Sequence, residues 1–261
     1  MGLRVLTAAI LIPLSLLAII IGGPIYSAVI AFMVIVLIFE WTRMVDGAEF
    51  SRGFYALSGT AGLAIFVAAG GQYGWALAVA LVGGVGATFL EGRRQGWAPW
   101  ALVGAMYLVV PAVAALFIRD APLQGRAFTL ILFATVWATD SGAYIAGKVL
   151  GGPKLWPDLS PQKTWAGALG GLALGLGTAL ALGMLLRVSA PIAVLLLVGV
   201  VLPIAAIVGD LLESALKRAF GVKDSGGVFP GHGGVLDRLD GFIVAVLALA
   251  AMLLIGQPDG P

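Results

Sequence analysis

A chain of 261 residues that is 61% hydrophobic and only 11% charged is not a water-soluble domain, in which about one residue in four is charged. The absence of cysteine excludes disulfides, thiolate metal sites and cysteine nucleophiles. A net charge of +2 with no basic arm gives no case for nucleic acid.

A membrane-crossing helix needs ~20 apolar residues. That measure predicts nine, near 3–21, 24–44, 54–69, 73–90, 98–117, 127–147, 165–187, 191–218 and 236–256. Arg4 ahead of an apolar run gives the first a signal-like look. The run is long, has no small-residue cleavage site and leads straight into another span, so it reads as a membrane helix. Breaks fall at Gly22-Gly23-Pro24, Gly70-Gly71, Gly92 to Gly96 and Arg119 to Arg126. Glycine dilutes the apolar signal of the third and fourth helices. The eighth is too long for lipid throughout, and its end from Asp210 is expected in the polar layer. The expected fold is therefore an all-α integral membrane protein of about nine transmembrane helices. Residues 1–126 form five spans, and 127–261 form four spans with polar loops at 148–164 and 217–238.

The basic residues test that count. One set of helix ends carries Arg4, Arg43, Arg52, Arg93, Arg94, Lys148, Lys154, Lys163, Lys217, Arg218, Lys223 and Arg238; the other carries only Arg119, Arg126 and Arg187. By the positive-inside rule the richer side is cytoplasmic, with the N-terminus inside and both long polar loops on that face.

Charge concentrates between Gly209 and Gly241, which hold Asp210, Glu213, Lys217, Arg218, Lys223, Asp224, Asp237, Arg238, Asp240 and the only histidine, His232. Polar groups at membrane depth are expensive, so they mark function by default. Asp210, Ser214, Lys217 and Arg218 share one helical face and suit a metal-bound phosphate, a reading favoured over the two bases merely snorkelling to headgroups. Gly226, Gly227, Gly231, Gly233 and Gly234 around Pro230 and His232 could offer successive N–H groups to an anion, or form an ordinary turn. Asp210 and Asp237, on different helices, are the oxygen donors a hard cation such as Mg²⁺ needs, while Asp240 suits a helix N-terminus. Asp140 is a lone acid in an apolar helix and calls for a partner. Lys163 and Thr164 stand where a helix N-terminus could hold phosphate. Gly142 to Val149 mimics P-loop spacing, but ends in valine within a membrane helix, so it is discarded.

Together these segments resemble the phosphatidate cytidylyltransferase (CDP-diacylglycerol synthase) family. The resemblance rests on SALKRAFGVKDSGGVFPGHGGVLDRLD from Ser214 to Asp240, on Gly209-Asp210, on Asp140-Ser141-Gly142-Ala143-Tyr144 and on Ser160-Pro161-Gln162-Lys163-Thr164-Trp165. It covers roughly the second half of the chain; Ala166 departs from the polar residue many relatives carry there. It implies a Mg²⁺-dependent enzyme, with a second, monovalent ion as an option, that makes CDP-diacylglycerol and pyrophosphate from CTP and phosphatidate. It further implies a homodimer in the bacterial inner (cell) membrane with the active site open to the cytoplasm. On that reading Asp210 and Asp237, with Asp140 as a third, hold metal. Lys163, Lys217, Arg218, Lys223 and Arg238 face phosphates, and Ser160, Thr164, Ser214, Asp224 and His232 support them. A CTP-dependent lipid kinase is the nearest rival. A secondary transporter is the rival from another class, but it would show repeat symmetry and charge at the midplane rather than at one face.

Overall fold

The computed structural model describes residues 2–91, 98–122, 124–226 and 234–256. It is helical almost throughout: α1 (Gly2–Ile21), α2 (Gly23–Asp46), α3 (Arg52–Ala69), α4 (Tyr73–Glu91), α5 (Ala98–Gly104), a π turn (Ala105–Val109), α6 (Val110–Asp120), α7 (Gly125–Leu150), α8 (Trp165–Leu185), α9 (Ile192–Ala219) and α10 (Leu236–Ile255). Among the described residues eight helices are long and apolar enough to cross a membrane, α5 to α6 acting as one, and Ile12–Ile21 adds the apolar end of α1. Large side chains such as Phe66, Phe89 and Ile255 stand on the outside, as lipid-facing positions require. The all-helical membrane architecture is thus the one expected, with ends shifted by a few residues.

Two compact units divide the chain: Met1–Ala121 with Phe220–Arg238, and Pro122–Ala219 with Leu239–Pro261. In the first, α2 to α6 pack around buried Trp41, Leu57, Leu108, Leu116 and Ile118. Ser51 caps α3 by accepting from the Phe54 N–H at 3.1 Å. The π turn falls just ahead of Pro111, which has no N–H to give the preceding turn and whose ring would strike a carbonyl there. Trp41 lies against Gly104, where a side chain would collide with its indole, and meets Trp100, Tyr107 and Phe220 at ring-centroid distances of 6.4, 5.7 and 6.5 Å. Arg119 donates from Nε to the Ile19 carbonyl at 2.6 Å and so caps the C-terminal end of α1, where cations are favoured.

In the second unit α7 and α8 form the closest-packed pair. Gly142, Gly167, Gly170 and Gly171 let the two backbones touch: a Cβ on Gly142 would lie 2.6 Å from the Gly170 carbonyl oxygen. Loop 148–164 holds something that apolar windows could not forecast, a two-stranded antiparallel hairpin of β1 (Lys154–Trp156) and β2 (Ser160–Thr164). Gly151 and Gly152, at φ of 61° and 95°, turn the chain out of α7 through backbone conformations that disfavour a side chain. Thr164 then caps α8, its hydroxyl accepting from the Gly167 N–H at 3.1 Å.

Candidate active site

The site begins with a close helix crossing. α9 and α10 meet where Gly209 lies against the Asp240 carbonyl and Gly241, and a Cβ on Gly241 would fall 3.0 Å from the Ala206 carbonyl oxygen. Each of these glycines adjoins an acid, so the crossing that only glycine allows also brings Asp210 and Asp240 together. Glu213, one turn along α9, completes the group: one oxygen from each of Asp210, Glu213 and Asp240 lies within 4.8 Å of the others. Glu213 is buried, at 1% exposure.

Three carboxylates this close repel one another, and two lysines answer them. Lys163 of β2 pairs with Asp210. Lys217 pairs with Glu213 at 2.6 Å, one helical turn away on α9. Asp240 accepts from the Gly241 N–H at 2.7 Å, and Asp140, exposed on α7, adds another negative charge to the field at Asp240. Three acids flanked by two lysines make a centre built of hard oxygen donors, which suits a small divalent cation.

The other residues singled out from sequence distribute as follows. Ser214 is half-buried and Arg218 exposed on α9; Ser160 is half-buried on β2, and the Thr164 hydroxyl is engaged in capping α8. His232 lies outside the described residues. In the first unit Lys223, Asp224 and Arg238 are exposed. Asp237, expected to share a cation with Asp210, accepts from the Ser225 N–H at 3.3 Å and the Gly234 N–H at 3.0 Å, an N-terminal duty that the sequence suggested for Asp240. Sequence reasoning gave no role to Glu213, which the structure places in this cluster, or to Glu40 of the first unit. Glu213 could have been found from its spacing, three after Asp210 and four before Lys217. Glu40, fully buried near the end of apolar α2, carried the same signal that singled out Asp140.

Fold and cluster define a class: a polytopic helical membrane protein with an acidic, lysine-flanked centre suited to holding a cation and handling phosphates. Comparison with known proteins narrows this. The chain belongs to the cytidylyltransferase family, which it matches over residues 2–255, and is therefore a nucleotidyltransferase. It is 34% identical over 262 residues to the phosphatidate cytidylyltransferase of Brucella suis biovar 1, covering 99% of this chain and 95% of that protein. The protein of the same name from Brucella abortus biovar 1 is 34% identical over 260 residues, covering 98% of this chain and 94% of the other. That of Staphylococcus epidermidis is 43% identical over 150 residues, 58% of this chain and 57% of the other.

Proposed function

We propose that the protein transfers the cytidylyl group of CTP to phosphatidate, giving CDP-diacylglycerol and pyrophosphate, the activity for which its relatives are named. The observation that carries this reading is the meeting of Asp210, Glu213 and Asp240 within 4.8 Å, with lysines against two of them, in a chain of this family. An oxygen of the phosphatidate phosphate attacks the α-phosphorus of CTP. As that bond forms, the bond from the α-phosphorus to the oxygen bridging to the β-phosphorus breaks, and its electron pair leaves on pyrophosphate. The attacking phosphate is already ionised at neutral pH, so no strong general base is required. Both reactants are polyanions; the work of the protein is to offset their repulsion and hold them in line.

Asp210, Glu213 and Asp240 would hold Mg²⁺, which when bound supplies charge neutralisation at the transferring phosphate. With the carboxylates so occupied, the ammonium groups of Lys163 and Lys217 are in place for phosphate oxygens. Arg218, Lys223 and Arg238 add positive charge, and Ser160, Ser214, Thr164, Asp224 and His232 support them. Asp237, whose carboxylate also orders its own loop, is proposed as a further metal ligand with Asp210, and Asp140 as a third. A second, monovalent ion, a homodimer, and an active site on the cytoplasmic face of a bacterial inner membrane belong to the same proposal.

The test is purified protein in detergent with phosphatidate, labelled CTP and Mg²⁺. A labelled CDP-lipid with equimolar pyrophosphate is the expected result. Release of CDP with a phosphorylated lipid would make it a CTP-dependent lipid kinase, and no consumption of CTP would overturn the proposal.

A further inference from the structure

The polar segment that follows α9 is held by two consecutive residues of α2. Trp41 packs on Phe220 at its start, and Phe220 also meets Trp100 at 4.8 Å. Glu40 holds its far end. The Glu40 carboxylate, 0% exposed, accepts from the Val235 N–H at 2.9 Å and the Leu236 N–H at 2.8 Å, and the Ser225 hydroxyl approaches it at 3.4 Å. The two amides are among the N–H groups that α10 cannot satisfy within itself, at the end where its dipole favours negative charge. Two glycines are shaped around the same carboxylate: a Cβ on Gly226 would lie 2.8 Å from Glu40 Oε1, and one on Gly234 3.0 Å from Oε2. Glu40 thus joins Ser225 and Gly226 to residues 234–236, and Asp237 ties the same two ends together through the Ser225 and Gly234 amides.

Such an arrangement exceeds what helix capping alone calls for. A neutral acceptor on the loop itself would satisfy Val235 and Leu236. Here the acceptor is a charged group buried in a membrane-helix bundle, a costly choice unless its donors must be fixed in place. The stretch it fixes bears Lys223, Asp224, Asp237 and Arg238.

We infer that Glu40 is a positioning residue for nucleotidyl transfer: its buried carboxylate sets the entry of α10 and thereby the placement of the charged residues beside its contacts, Lys223, Asp224, Asp237 and Arg238. This rests on the function proposed above. Glutamine at position 40 has one oxygen for two N–H donors and turns an NH₂ group toward the other, so Glu40→Gln tests the contact with little change of shape. Its kcat per folded molecule should fall about 100-fold, as loss of alignment does, while KM for phosphatidate changes less than twofold. Amide hydrogen exchange at Ser225, Val235 and Leu236 should quicken while that of α8 is unaltered.

A second variant guards against misfolding. Glu40→Asp keeps the charge but withdraws it from the space beside Gly226. Gly226→Ala should therefore be severe alone and distinctly less harmful in the Glu40→Asp background. Wild-type kcat per folded molecule in Glu40→Gln, or additive effects of Glu40→Asp and Gly226→Ala, would overturn the inference. Should the wild-type protein itself make no CDP-lipid, the functional reading falls, yet the exchange measurement still decides whether Glu40 holds residues 225 and 234–236. Unchanged exchange there would refute it independently.

Discussion

Alanine at Gly209 tests the helix crossing on which the acidic cluster depends. The added Cβ would lie 2.9 Å from the Gly241 Cα and 3.1 Å from the Asp240 carbonyl carbon, both backbone atoms that cannot rotate away. Carbon atoms pack at roughly 3.5–4.0 Å, so α10 must retreat by about 0.6–1 Å. Asp240 retreats with it, away from Asp210 and Glu213. Reactive constellations tolerate about 0.5 Å of displacement, and a shift of 1 Å can cost about 100-fold in rate. Gly209→Ala should therefore insert and purify normally, yet lose one to two orders of magnitude in kcat for CDP-lipid formation and require more Mg²⁺ for half-maximal rate. Helix propensity works in the opposite direction, since alanine is favoured over glycine by about 1 kcal/mol in a helix interior. Gly177→Ala on α8, where nothing lies within 4 Å, is the control and should be silent or slightly stabilising. Wild-type turnover in Gly209→Ala would show that the crossing does not set the cluster.

Three further outcomes follow from the same geometry. Asp210→Asn and Asp240→Asn should each abolish most activity, and the double variant should be scarcely worse, because residues serving one cation act as a unit; additive losses in steady-state rates would separate them. Lys217→Met leaves Glu213 buried without the cation paired to it at 2.6 Å, at a cost of about 3–5 kcal/mol. A clear fall in Tm should result, which Glu213→Leu in the same chain reverses without restoring turnover; an unchanged Tm in the single variant would show the pair to be dispensable for stability. Reporter fusions at Lys154 and Lys223 should report cytoplasm and one at Gln257 the opposite side, and a cytoplasmic Gln257 would break the nine-span topology drawn from the basic residues.

The spans were legible because lipid imposes a length and a composition that survive any detail of packing: α2, α7 and α9 were each located to within a few residues. The β1–β2 hairpin was not, since strands of three and five residues carry no periodic signal against an apolar background. The acids of the site were all visible, but their grouping was not. Asp237 and Asp240 stand one turn apart on α10, and hydropathy does not show that Asp240 joins Asp210 and Glu213 of α9. Local sequence held a clue in Gly209-Asp210 and Asp240-Gly241, a glycine beside each acid, which marks the place where two helices come close enough for their carboxylates to meet. Glu40 was obscured for a different reason: its donors lie some 195 residues away, and no window reaches that far.

The hairpin that carries Lys163 also governs where the chain can change length. Lys163 immediately precedes Thr164, whose hydroxyl is locked onto the first turn of α8, so the phase of the lysine is set from its C-terminal side. Side chains alternate along a strand, and an odd insertion between Lys163 and that cap would present a different residue to Asp210. Residues added at Pro157 to Leu159, ahead of β2, would leave the phase intact. The tip of the hairpin is therefore the stretch of the polar region that can lengthen, shorten or accept a tag, while the lysine one strand away keeps its address.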